Sequence, residues 1–160
     1  MMDFLFRSLV IGGVATALLD VWNIIVNRTI GAPLPNWALV GRWVRHLPYG
    51  TFSHADMTAA RGFGNELAVG WLFHYAVGVA FAAALLLLWP TWAANPTLLP
   101  PLIVGYVTIG CGWFILAPGM GGGMAHSRRD NAGRIRLLNV LGHTVFGLGL
   151  WIGGLLLKGM

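Results

Sequence analysis

The chain has 160 residues, of which 57% are hydrophobic and only 9% charged, with a mean hydropathy of +0.72. Soluble domains carry about 25% charged residues, so there is too little polar surface here to coat a water-soluble particle, and a soluble globular fold is excluded. Ten Lys and Arg against five Asp and Glu give a net charge of +5, read as membrane topology plus attraction to anionic headgroups rather than a nucleic-acid footprint; no nucleic-acid partner is expected.

The first apolar run, about Ser8 to Val26, is long enough to span a hydrocarbon core. Arg7 followed by Ala15-Thr16-Ala17 imitates a signal peptide and its cleavage site, but the run continues past Ala17, so the span is expected to be retained.

The first loop, Asn27 to Asn65, is too long to be structureless in a compact protein. Asn36 is placed to cap a short helix from Trp37 to about His46, whose Trp37, Val40, Trp43 and Val44 against Arg42 and Arg45 suit a segment lying in the membrane interface. Leu47-Pro48-Tyr49-Gly50 reads as a turn. Ser53-His54-Ala55-Asp56 resembles a capping box opening a second helical stretch toward Arg61; the alternative is a surface loop with incidental helical turns.

The second span is expected at about Glu66 to Leu88, with Trp89-Pro90 and Trp92 closing it at an interface. The third runs from about Leu98 to Leu116, with Pro100-Pro101 in its first turns and Ala117-Pro118-Gly119 ending it. The glycine-rich loop that follows, Pro118 to Met124, lacks both the third glycine of a dinucleotide fingerprint and the Lys-Ser/Thr of a P-loop. It reads as a tightly turning connection. The fourth span is about Ile135 to Leu157. The expected fold is therefore an all-α, four-helix transmembrane bundle forming a single domain over residues 1–160, with short interfacial helices in the first loop.

Eight of the ten basic residues fall in or beside the first and third loops: Arg28, Arg42, Arg45 and Arg61, then Arg128, Arg129, Arg134 and Arg136. Cytoplasmic loops concentrate Lys and Arg. Loops one and three are thus expected in the cytoplasm and both termini in the periplasm, in a bacterial inner membrane. Asn27-Arg28-Thr29 then has no meaning as a glycosylation acceptor.

Polar groups inside the apolar runs are the candidates for function, because a charge at mid-bilayer costs roughly 2.5 to 3.5 kcal/mol on insertion scales. At about 1.5 Å of rise per residue, His74 and His143 each lie roughly 12 Å inside their spans and Asp20 roughly 9 Å. Glu66 is positioned to close that layer, with Tyr75, Tyr106, Thr108 and Cys111 as further lining residues. Two imidazoles from different helices suit a transition metal or haem b, with Asp20 and Glu66 as ligands or their hydrogen-bond partners. Tyr75 and Cys111 would line the pocket. The same groups suit proton transfer, or plain interhelical hydrogen bonding. His46, His54 and Asp56 form a weaker second cluster for a metal or a substrate contact. His126 reads as part of a headgroup-facing basic loop. The single cysteine excludes an internal disulfide.

Glycines in every span permit close packing, and Gly149 with Gly153 form a small-xxx-small pair suited equally to self-association and to docking on another subunit. A non-catalytic accessory subunit of a membrane complex and a small proton or solute carrier therefore stand beside the metal or haem reading. No nucleophile identifies an enzyme. The stretches Gly41 to Leu47, Glu66 to Tyr75, Pro118 to Ser127 and His143 to Leu150 together resemble a group of small bacterial integral membrane proteins catalogued only as a domain of unknown function. The resemblance implies a four-helix inner-membrane protein and supplies no reaction. The Gly121-Gly122-Gly123 run is a departure from that pattern.

Overall fold

The computed structural model describes residues 1–159. In chain order the main helices are α1 (Met2–Ile30), α2 (Trp37–His46), α3 (Glu66–Leu88), α4 (Leu99–Cys111) and α5 (Ala132–Leu156). After Cys111 the helix passes through a π turn, Gly112–Leu116, into a last α turn, Ala117–Gly119. No strand occurs among the described residues. Met2–Ile30, Glu66–Leu88, Leu99–Gly119 and Ala132–Leu156 are each long and apolar enough to cross a bilayer, making this a multi-pass membrane protein. The second span starts and ends where its sequence pattern puts it. The first is longer than expected at both ends. Asp3 and Arg7, one turn apart, form an ion pair at 2.8 Å that supports the extra N-terminal turns, and Gly31 stops the helix in a left-handed conformation at φ 66°.

The chain divides into two compact units. The first takes Met1–Leu34, Tyr75–Thr108 and the chain from Val140 onward. Its core is Ile11, Ala15, Ala82, Leu85, Val104, Phe146 and Leu150. Glycine sets the helix spacing there. A Cβ on Gly149 would come within 2.6 Å of Ala15 Cα, and one on Gly153 within 2.8 Å of Ile11 Cα, so α1 and α5 touch backbone to backbone. The small-xxx-small pair is thus filled from within the chain. Trp92, expected at the interface, is only 4% exposed. Its indole lies over Gly154 and Nε1–H donates to Thr97 O at 2.8 Å, since a buried indole needs an acceptor.

The second unit takes Pro35–His74 and Ile109–Asn139. Asn36 caps α2 as expected, its Oδ1 accepting from Leu39 N at 3.1 Å. Gly41 of α2 meets the Glu66 carbonyl and Gly70 of α3 meets the Trp37 carbonyl, so neither position has room for a side chain. Trp43 is buried, with Nε1–H on Phe52 O at 3.0 Å. The expected second loop helix does not form: residues 53–65 are irregular, with isolated turns and bends. Both ends of the capping box are spent elsewhere. Ser53 Oγ donates to Pro118 O at 3.1 Å, and Asp56 Oδ1 accepts from the backbone N of Thr58 at 2.8 Å in an Asx turn. The third loop is the tight connection its glycines imply, with Gly121 at φ 87° and a Cβ there blocked by the Ala55 carbonyl.

Candidate functional site

Asp20, His143 and His74 each have a local partner within their own unit. In the first unit, Asp20 Oδ2 accepts from the Tyr75 hydroxyl at 3.1 Å. The His143 ring lies 3.0 Å from Gly105 O through Nδ1, and Thr108 Oγ1 donates to the same carbonyl at 2.9 Å. A carbonyl only accepts, so Nδ1 carries a proton and donates it to this bond. Tyr106 pairs with Thr144 at 3.1 Å. In the second unit, His74 stacks on Trp37 with ring centroids 3.9 Å apart.

Glu66, expected as a ligand or as closure of the layer, is instead taken by Arg42. The guanidinium meets both carboxylate oxygens, Nε to Oε1 at 2.9 Å and Nη2 to Oε2 at 3.1 Å. Its Nη1 holds the carbonyls of Met57, Thr58 and Ala60 at 3.2 to 3.3 Å. Arg42 therefore fixes the path of the first loop against the start of α3, and its own pKa is raised by the hydrogen bonds to Glu66. Cys111, expected to line a pocket, is exposed. Among the described residues no group of three or more His, Cys, Asp or Glu side chains is arranged to hold a metal.

The histidines of the first loop come together. The rings of His46 and His54 lie edge to face with centroids 4.6 Å apart. His46 Nε2–H donates to Arg61 O at 3.0 Å, and His54 Nδ1–H donates to Gly119 O at 3.2 Å. The His54 backbone N–H reaches the same Gly119 oxygen at 3.0 Å, pinning the first loop to the end of the third span. Two adjacent imidazoles are thus each held by a backbone carbonyl through one nitrogen, with the other nitrogen outside that bond. His54 Nε2 is buried and without a hydrogen-bond partner. Asp56, the third member of this sequence cluster, turns to Thr58, whose hydroxyl and backbone N–H lower the carboxyl pKa.

Phe63 carries a further cluster. Its ring takes the Arg45 guanidinium at 5.2 Å and the Arg61 guanidinium at 5.7 Å, the edge of His46 at 5.0 Å, and a stacked Tyr49 at 6.1 Å. No spacing rule links residues 45, 61 and 63 when the loop between them is irregular. In the third loop, Ala125 (φ 47°) and His126 (φ 60°) occupy the left-handed region consecutively, which is uncommon for residues other than glycine. Burial, followed by the nearby Arg129 and Arg136 charges, lowers the His126 pKa.

A family model described as "Protein of unknown function (DUF2938)" matches residues 9–157. No curated protein matches, and neither does any solved structure.

Proposed function

Since the chain belongs to this family of proteins of unknown function, we propose its role from its own chemistry: a multi-pass bacterial inner-membrane protein that binds a transition-metal ion through His46 and His54, for sensing or redox. Loops one and three face the cytoplasm in this reading, which puts the ion at the cytoplasmic surface. The observation that carries it is the paired imidazoles, each donating one ring N–H to a backbone carbonyl with the buried His54 Nε2 unpartnered. Ligating histidines are oriented in this way, because a carbonyl on one nitrogen fixes the tautomer that presents the other. Borderline ions such as Cu²⁺, Ni²⁺ and Zn²⁺ suit imidazole. Water or an incoming ligand fills the remaining positions. The arginines on Phe63, which also contacts the His46 ring, oppose a dication by like-charge repulsion. Binding is therefore weak and exchangeable.

The test is metal uptake by the detergent-purified protein. Wild type should take up one ion per chain, and His46→Gln, His54→Gln or the pair should abolish that uptake without unfolding the protein. Equal uptake by wild type and the double variant would sink the assignment.

A second reading, haem b or a metal within the membrane, rests on His143, whose Nδ1–H is fixed by Gly105 O. An optical spectrum that disappears in His143→Gln selects it. A colourless, metal-free protein that copurifies with a partner selects the accessory-subunit reading instead.

A further inference from the structure

We infer that Arg45 and Arg61, held on the ring of Phe63, form a binding site for the phosphate of an anionic phospholipid headgroup. Both guanidinium carbons lie within 6 Å of one ring centroid, at 5.2 and 5.7 Å. They can be no further apart than the sum of those two distances, within the span of a headgroup. Two like charges held on one ring repel each other. Stacking on the aromatic face offsets part of that repulsion, and a shared anion offsets the rest.

Among the described residues neither arginine has an ion-pair partner, whereas Asp3 pairs with Arg7 and Glu66 with Arg42. Both side chains are exposed. Arg42, on the same helix as Arg45, is the contrast. It is saturated by Glu66 and three carbonyls, so it holds the fold and leaves the anion to the other two. A guanidinium is the side chain whose fork matches phosphate oxygens.

The choice of a lipid over a free phosphate rests on the neighbours. Tyr49, stacked on Phe63, is 73% exposed. Exposed aromatics beside basic residues in a membrane protein belong at the headgroup level, where an amphipathic ring is at home. A soluble anion site has no use for them. The phosphate is thus presented by a lipid whose glycerol and upper acyl chains pack against Tyr49.

The full chain in detergent, with a chelator present so that the result is separate from metal binding, would be titrated with phosphatidylglycerol or cardiolipin and, in parallel, with phosphatidylethanolamine. Bound lipid would be counted by native mass spectrometry. Arg45→Gln and Arg61→Gln should each weaken retention of the anionic lipids about fivefold, the double variant more, while the zwitterionic lipid is unaffected. Folding is not at issue in Arg61→Gln, because His46 bonds the backbone oxygen of residue 61. Phe63→Leu keeps both charges and removes the ring; it should give an intermediate loss, and it serves where the double variant is unstable. Lys158→Gln removes one charge elsewhere and should change nothing. Anionic-lipid retention equal to wild type in the double variant, or a loss matched by Lys158→Gln, overturns the site. Displacement of the lipid by millimolar inorganic phosphate overturns the lipid as its occupant.

Discussion

Arg42 and Glu66 meet through two parallel hydrogen bonds at 2.9 and 3.1 Å, with the carboxylate side chain only 11% exposed. This pair joins α2 to the first turn of α3, and the remaining guanidinium nitrogen holds three loop carbonyls. A bidentate, partly buried pair differs from the usual surface ion pair, which contributes little.

Glu66→Gln keeps the shape and one hydrogen bond but leaves Arg42 without its counter-charge. The expected result is a fall of about 2 to 4 °C in the thermal unfolding midpoint in detergent, with faster protease cleavage between residues 57 and 61. An unchanged midpoint and cleavage rate would mean that the three carbonyls alone hold the loop.

The contact of α1 with α5 gives a second prediction. Gly149→Val puts a branched side chain against Ala15 backbone, where a Cβ alone already lies within 2.6 Å of Cα, and backbone cannot yield as a flexible side chain can. Such overpacking costs about 1 to 3 kcal/mol. Gly13→Ala, where nothing lies within 4 Å of the new atom, should be neutral or slightly stabilising, since alanine favours helix by about 1 kcal/mol over glycine. Size-exclusion chromatography should give the same oligomeric state for both variants as for wild type. Dissociation of an oligomer in Gly149→Val would return this stripe to an intermolecular role.

The glycines and the apolar runs show how far the sequence was legible. Length and hydropathy locate the four spans because each helix must satisfy its own backbone in lipid, and α2 is readable from Asn36 and its spacing. The path of residues 53–65 was not. Ser53 and Asp56 have the spacing of a capping box, yet Ser53 is drawn to Pro118, 65 residues away, and no local rule anticipates that. The site was legible in part. Depth arithmetic identified His143 and Asp20 as groups needing partners, but it cannot assign those partners, because side-chain azimuth on a helix depends on packing. The partner that Glu66 does take, Arg42, lies 24 residues earlier, a separation that no local spacing rule covers. The nearness of His46 to His54 is hidden for a similar reason: an irregular loop conceals proximity that a helix would advertise.

His126 supplies a pH dependence. Its pKa is lowered from 6.5 by burial and by Arg129 and Arg136, so the folded state binds this proton less readily than the unfolded chain. The stabilising contribution is therefore fully present above about pH 6.5 and is lost as the pH falls toward the lowered folded value. The difference in unfolding midpoint between wild type and His126→Asn should shrink or reverse across that acidic window and stay constant above it. A difference independent of pH from 5 to 8 would show that His126 does not titrate with folding.

Topology can be read directly with thiols. In a Cys111→Ala background, which removes the one native cysteine, Ala59→Cys reports on the first loop and Ala94→Cys on the second. Both positions are exposed, and neither side chain makes a polar contact. With eight of ten basic residues in or beside loops one and three, the charge rule puts residue 59 in the cytoplasm and residue 94 outside. A membrane-impermeant maleimide added to spheroplasts should label Ala94→Cys at once and Ala59→Cys only after lysis. The reverse pattern would invert the protein, carrying His46, His54 and the Arg45–Arg61 pair to the periplasmic leaflet. Metal would then be met from outside the cell.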